Sequence, residues 1–372
     1  MAAKLFTPIT LGGVTLPNRI VVSPMCQYSA DDGSMNDWHF VHLGHLAYSG
    51  AGLVMVEATH VTREGRITHG CTGLYSDHNE ASIKKVIDAC RRLSRSPIGI
   101  QIGHAGRKAS TQVPWEGREA LGPHESPWPT VAPSALPFSE TWHTPRELTR
   151  AEIPALVDAF VRSAQRARRI GFDVLELHSA HGYLLHQFLS PLSNRRRDDY
   201  GRERMKFPLE AARAVREVWP REKALGARIS ANDWADGGLG PDDAVTYARE
   251  LERVGFDYVC VSSGGLVSHA KLNVGPGYQL PFAERVKKNS KLKVRAVGMI
   301  ADPDQAEAAI AEGKADMVAM ARAILDNPRW VWHAAERFGV TIEYPPQYAR
   351  VHPSLWPGTA LARPPSSVSK AA

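Results

Sequence analysis

Residues 171–183 read Gly171-Phe172-Asp173-Val174-Leu175-Glu176-Leu177-His178-Ser179-Ala180-His181-Gly182-Tyr183. Before them, residues 151–170 place Ile153, Leu156, Val157, Phe160, Val161, Ala164 and Ala167 on one helical face, and Gly171 is the stop. A short strand follows at 174–177. Two histidines and a tyrosine crowd its far end. A helix, a glycine stop, a short strand and then polar residues make one βα unit with chemistry at the strand's C-terminal end.

The same alternation repeats along the chain. Strands are predicted at 20–23, 53–58, 98–102, 174–177, 226–230, 258–262, 294–297 and 317–320. Most are continuous apolar runs, as in parallel strands covered on both faces. Further helices are predicted at 77–95, 208–219, 241–254, 282–289 and 303–312. Eight such units predict an α/β fold, a closed (β/α)₈ TIM barrel in preference to an open doubly wound sheet. The 372 residues suit one barrel, since such domains often exceed about 250 residues. We expect a single barrel domain over 1–352 and a disordered tail, rich in Pro, Ser and Ala, over 353–372. Residues 9–16, with Gly12-Gly13 at the centre, read as an N-terminal hairpin placed to plug the barrel bottom. Residues 108–147, after strand three, form a long loop of Pro, Gly, Trp and polar residues. A loop of that length inside a compact domain is usually functional, so it reads as a lid or a substrate-facing excursion.

Composition narrows the partners. Hydrophobic residues at 43% and charged residues at 23% are globular values. The formal net charge of +6 is mild over this length, and its densest cluster, Arg195-Arg196-Arg197, meets Asp198-Asp199 at once. No basic run with interleaved aromatics points to nucleic acid. No apolar run reaches the roughly 18 residues that span a membrane, and the N-terminal residues lack the apolar core of a signal peptide. Cys26, Cys71, Cys90 and Cys260 form no Cys-x-x-Cys pair, which argues against a zinc ribbon or an iron–sulfur cluster. Free thiols suit a reducing compartment, so a soluble cytoplasmic protein is expected.

The strand ends are well stocked. Strand one runs into Ser23-Pro24-Met25-Cys26-Gln27-Tyr28, and strand three holds Gln101 and leads into His104-Ala105-Gly106-Arg107-Lys108. Strand five carries Arg228, strand seven ends at Gly298, and strand eight leads into Ala321-Arg322. Polar and basic residues on one rim suit an anionic heteroaromatic cofactor. His178 and His181 read either as rim residues or as paired donors to an anion or carbonyl oxygen; a metal site needs a third ligand, and none stands out, so no metal is expected. Cys26 reads either as a small buried hydrophobe or, with a base beside it, as a nucleophile. Gly298 with Ala321-Arg322 fits the late phosphate site of many barrels. No Gly-x-Gly-x-x-Gly follows an early strand, which disfavours a Rossmann site.

Taken in order, several of these pieces are specific. Leu5-Phe6-Thr7-Pro8, Asn18-Arg19-Ile20, Ser23 to Cys26, Gln101 with His104 to Lys108, His178 to Tyr183, Gln187 to Pro191 and Asn194 resemble the old yellow enzyme family of FMN ene-reductases. Cys26 with Tyr28 resembles its thermophilic-like, xenobiotic reductase branch. The resemblance covers about residues 4–350. It implies an FMN-binding barrel that takes hydride from NADPH or NADH and reduces activated C=C bonds of α,β-unsaturated carbonyl or nitro compounds. By the same resemblance Ser23, Pro24, Met25, Cys26 and Ala58 pack the flavin, Gln101 reaches its pyrimidine edge, and Arg228 lies near its N1/C2=O locus. Gly298, Ala321 and Arg322 hold the phosphate. His178 and His181 grip the substrate oxygen with help from Tyr28. Tyr183 matches the family's proton donor, and Cys26 tunes the flavin and touches substrate. Gln347-Tyr348-Ala349-Arg350 matches a segment whose arginine enters a neighbouring subunit's site, which implies a homodimer or homotetramer with a shared active site. Tyr200-Gly201-Arg202-Glu203-Arg204 departs from the pattern, being shorter by about three residues, and Ala321 stands where glycine is common. The competing expectations are a flavin oxidoreductase of the dienoyl-CoA reductase or amine dehydrogenase kind, for which cluster cysteines and further length are missing, and a flavin- or ligand-binding barrel without turnover.

Overall fold

The computed structural model describes residues 3–362, so the last part of the expected disordered tail, 363–372, lies outside the described residues. The described part of that tail carries turns and a short helix, Thr359–Ala362. Eight strands form a closed barrel: β1 (Ile20–Val22), β2 (Leu53–His60), β3 (Ile98–Gly103), β4 (Val174–Ser179), β5 (Ala224–Ser230), β6 (Tyr258–Ser262), β7 (Lys293–Ala296) and β8 (Met317–Met320). Each pairs in parallel with its sequence neighbour, and β8 closes on β1 with Val318 opposite Ile20. All eight expected strands are present, with bounds shifted by no more than two residues.

The outer ring is α1 (Asp37–Ala47), α2 (Asp77–Leu93), α3 (Ile153–Ile170), α4 (Lys206–Val218), α5 (Pro241–Val254), α6 (Leu280–Asn289), α7 (Pro303–Ala311) and α8 (Trp330–Arg337). Local chemistry sets their ends. In α2 the Ser76 side chain accepts from Asn79 N–H, Asp77 and Glu80 occupy the first turn, and Arg91 and Arg92 the last. The sequence pattern did not reveal α1 or α8. In α1 apolar residues lie all round: Leu43, Leu46 and Ala47 face the core while Trp38, Phe40 and Val41 are exposed, so no single stripe marks it. α8 is only about two turns long.

Alternation along each strand separates two cores. One lies between strands and helices. The other fills the barrel, where Val21, Leu53, Met55, Val174, Tyr258, Cys260, Met317 and Ala319 cluster with Ile9, Leu11 and Leu16. Those last three come from the antiparallel hairpin Ile9–Leu11 and Val14–Leu16, which closes the bottom as expected. The loop after β3 contains 3-10 turns and a small ladder pairing Val131–Ala132 with Arg146–Glu147. The shortened segment folds as one helical turn, Asp199–Arg202, with Tyr200 buried against Phe188 and donating its hydroxyl to Glu210 at 3.0 Å. Among the described residues no helix is long and apolar enough to cross a membrane.

Leu11 is almost wholly buried in the plug. Leu11→Ala should cost about 2–5 kcal/mol, read as a lower denaturant midpoint, because the barrel wall around the lost side chain cannot collapse onto the gap. An unchanged midpoint would mean that the hairpin is not part of the barrel core.

Candidate active site

The polar rim lies at the C-terminal ends of the strands. After β1, the amide of Ser23 donates to Met320 O at 2.8 Å, which ties the first loop to β8. Glu57, buried within β2, accepts from Gln27 N–H at 3.0 Å and lies 3.2 Å from His39 Nε2. This holds the chain through Tyr28, whose φ is 52°. Cys26, Tyr28 and Tyr183 come together, packing with Trp128 around Ile67, Cys71, Ala105 and Ala109. Burial, then Cys71 and Glu57, push the Cys26 thiol well above its ordinary range. It therefore stays protonated, which disfavours a nucleophilic role. From the long loop, Trp115 meets Tyr28 edge-on with ring centroids 6.0 Å apart.

His178 ends β4 and His181 sits in the following turn. His178 Nε2 and His181 Nδ1 are 3.4 Å apart. Ala180 N–H donates to His178 Nδ1 at 3.3 Å, so the proton of a neutral His178 is on Nε2. Ser262 Oγ, at the end of β6, is 2.8 Å from His181 Nε2. The His181 ring carries its proton on either nitrogen, the Ser262 hydroxyl accepting or donating accordingly, and the two imidazole edges face each other. The same hydroxyl lies 3.3 Å from Gln279 Oε1, a longer alternative contact, and that oxygen already accepts from Ser263 at 2.6 Å. Burial, then Arg228, holds both imidazoles well below the usual histidine range, so they are neutral donors near neutral pH.

The turn carrying His181 is strained and firmly held. His181 has φ 59°. Gly182 has φ +73°, and a Cβ there would lie 2.2 Å from Gly265 O. Gly182 N–H donates to His186 Nδ1 at 2.9 Å, and His186 Nε2 lies 3.0 Å from Asp233 Oδ1, both side chains fully buried. Asp233 Oδ2 accepts from Ser190 and from Leu239 N–H. From the other side, Lys108 Nζ donates to His181 O at 3.0 Å and Gly265 O at 2.8 Å. Burial, then Arg107 and Arg118, lower the Lys108 ammonium to about 7.

The remaining rim residues include unpartnered buried polar atoms and a glycine with no room for a side chain. Ser23 Oγ and Arg228 Nε are buried polar atoms with no protein partner, as expected where a polar ligand completes the site. Gly298 has φ +119°, and a Cβ there would come within 2.5 Å of Gln279 Nε2. Ala321 has φ −113°, so its methyl is accommodated where glycine is common. Arg228 and Arg322 both act on Tyr278, whose hydroxyl burial pushes up and the two guanidiniums pull back. This brings the β5, β6–α6 and β8 loops to one end of the mouth. Ala58 is buried at the end of β2, close to Cys26. Gln101 is buried on β3 beside β4. Pro24 and Met25 lie half-buried between Ser23 and Cys26.

Arg350 stands apart. It is exposed in the 3-10 segment Pro346–Val351, where Tyr348 stacks on Tyr48 outside the barrel. Sequence reasoning missed Ser262, Tyr278 and Gln279. The available signal was the end of strand six, where Ser262 precedes Ser263-Gly264-Gly265, a run that looks like an ordinary linker.

Comparison with known proteins shows the family. The family model described as NADH:flavin oxidoreductase / NADH oxidase matches residues 4–339. The chain is 43% identical over 355 residues to an NADPH dehydrogenase of Geobacillus sp. (strain WCH70), covering 94% of this chain and 99% of that one. Against an NADPH dehydrogenase of Bacillus subtilis (strain 168) the identity is 41% over the same shares. Among solved structures, morphinone reductase in complex with tetrahydroNAD superposes with a TM-score of 0.73 at 29% identity, covering 94% of this chain and 93% of that one.

Buried neutral histidines make stability depend on pH. His60 is lowered to about 4 by burial, with Arg66 adding to it against the pull of Thr72; burial and then His60 lower His104 to about 3. In the unfolded chain they titrate near 6.5. Between about 6.5 and 4 the unfolded state binds more protons, so stability is fully present above about 6.5 and falls as pH falls. Melting temperature should drop through this window, and less steeply for His60→Gln with His104→Gln. Equal slopes for wild type and variant would refute the assignment.

Proposed function

The chain belongs to the NADH:flavin oxidoreductase / NADH oxidase family, and from that premise we propose an FMN-dependent NAD(P)H oxidoreductase that reduces activated carbon–carbon double bonds. The observation that carries this is the pair of imidazole nitrogens 3.4 Å apart beside the half-buried Arg228. Two neutral imidazoles side by side suit the carbonyl or nitro oxygen of an electron-poor alkene, where negative charge grows during reduction.

Ser23, Pro24, Met25, Cys26, Ala58, Gln101 and Arg228 would hold FMN, and Gly298, Ala321 and Arg322 its phosphate. When bound, FMN would supply the hydride chemistry, with NADPH or NADH as the donor and the activated double bond as the acceptor. Arg228 would stabilise negative charge on the bound cofactor. Tyr183 lies against His178 with ring centroids 4.8 Å apart at 88°. Burial, then Cys26, raise its hydroxyl well above the usual tyrosine range, so Tyr183 keeps a proton to give the α-carbon. Tyr28, opposite it in the same cluster, steadies the substrate oxygen, and the Cys26 thiol touches substrate as a neutral group. Preorganised neutral donors avoid charging an imidazole in a buried site, and each should contribute on the order of 10²-fold in rate. The substrates are small electron-poor alkenes, and the setting is cytoplasmic. Arg350, exposed on its own subunit, completes the site of a second copy in a homodimer or homotetramer.

Purified protein should be yellow. His178→Ala with His181→Ala should keep FMN and lose reduction of 2-cyclohexenone by at least about 10²-fold in kcat/KM. Normal turnover by that variant would refute the histidine roles, and colourless protein that takes up no added FMN would refute the cofactor. For Arg350, mixed dimers of His178→Ala and Arg350→Ala subunits should recover activity that neither variant has alone. No recovery from two impaired parents would place Arg350 in its own subunit's site.

A further inference from the structure

One charged group inside the barrel is not used by this mechanism. Glu176 on β4 and Arg295 on β7 are fully buried and form an ion pair across the barrel interior. Glu176 Oε2 also accepts from Tyr258 OH at 2.9 Å, and its Oε1 accepts from Gln101 Nε2 at 2.7 Å. Gln101 and Glu176 are register partners on neighbouring strands. The Arg295 guanidinium also lies over the Tyr258 ring, 5.1 Å from its centroid. A full charge pair held this way, in place of an apolar layer, is costly to bury.

We propose that Glu176, paired with Arg295, is a positioning residue that fixes the amide orientation of Gln101 and so the hydrogen-bonding pattern offered to the pyrimidine edge of FMN. The inference rests on the flavin reading above. An ionised carboxylate only accepts hydrogen bonds, so Gln101 must turn its NH₂ toward Glu176. Both Glu176 oxygens already act as acceptors, Oε2 from Arg295 and Tyr258 and Oε1 from Gln101. The amide oxygen and the second N–H of Gln101 are left for the mouth. A flavin pyrimidine edge offers an N–H flanked by two carbonyls. Gln101 in this orientation accepts from the N–H and donates to a carbonyl. Without the charged carboxylate both amide orientations are available, and part of the bound population meets the wrong pattern.

The test is a double-mutant cycle on FMN affinity. Apoprotein would be titrated with FMN by fluorescence quenching for wild type, Gln101→Leu, the charge-free pair Glu176→Met with Arg295→Met, and all three together. Replacing both charges by apolar groups of similar size is often tolerated. The pair should lower FMN affinity by roughly three- to tenfold, the share of one hydrogen bond, and should cost nothing further once Gln101 is leucine. The N3–H resonance of nitrogen-labelled FMN should shift in the pair variant as it does in Gln101→Leu. Equal losses in both backgrounds, or an unshifted resonance, would overturn the proposal and leave Glu176 a purely structural residue. Glu176→Gln with Arg295→Gln gives the same cycle if the methionine pair does not fold. Wild-type apoprotein that binds no FMN would instead defeat the cofactor reading.

Discussion

In a closed barrel of parallel strands every second side chain points into a space with no exit except its two ends. That constraint organises this molecule. The hairpin Ile9–Leu11 and Val14–Leu16 seals one end with apolar side chains, and the layers above it are apolar through Met55, Val174 and Met317. The next inward positions hold Gln101, Glu176 and Arg295, and those at the rim hold Ser23, His178, Arg228 and Ser262. Polarity rises from the sealed end to the open end. Groups that would be costly in the middle of a core are placed where a ligand or a fixed partner can satisfy them.

The rim is also where the backbone departs from regular geometry. Tyr28, His181, Gly182 and Gly298 all have positive φ. Such conformations persist only where the surroundings hold them. Glu57 holds the first loop through Gln27, the Asp233–His186 pair holds Gly182, and Lys108 holds His181. Each support is buried or half-buried and none belongs to the imidazole pair. The histidines can therefore remain neutral donors with little freedom to reorganise, which is the arrangement that stabilises developing negative charge most cheaply.

Legibility in the sequence followed physical rules. The strands of the barrel could be read because both of their faces are covered, which produces unbroken apolar runs such as Ile98-Gly99-Ile100. α3 could be read from its single apolar face. α1 could not, because Trp38, Phe40 and Val41 face outward and blur its periodicity. His178, His181, Arg228 and Gly298 were legible as candidates because residues at the C-terminal ends of barrel strands converge by topology. Glu176 and Arg295 were not, since a charged residue in a strand normally suggests an exposed face, and only the pairing of one with the other explains their burial.

By itself the sequence determined the barrel, its plug, its long third loop and the rim from which chemistry would come, because periodicity and strand-end placement are local properties of a chain. The tertiary structure alone decided which groups the two imidazoles meet, which buried groups have no protein partner, and that Arg350 lies outside its own barrel. Those facts depend on contacts between residues far apart in the chain, such as Ser262 with His181 and Gln101 with Glu176. No local pattern records such contacts, because they exist only after the strands have closed and fixed which side chains face one another.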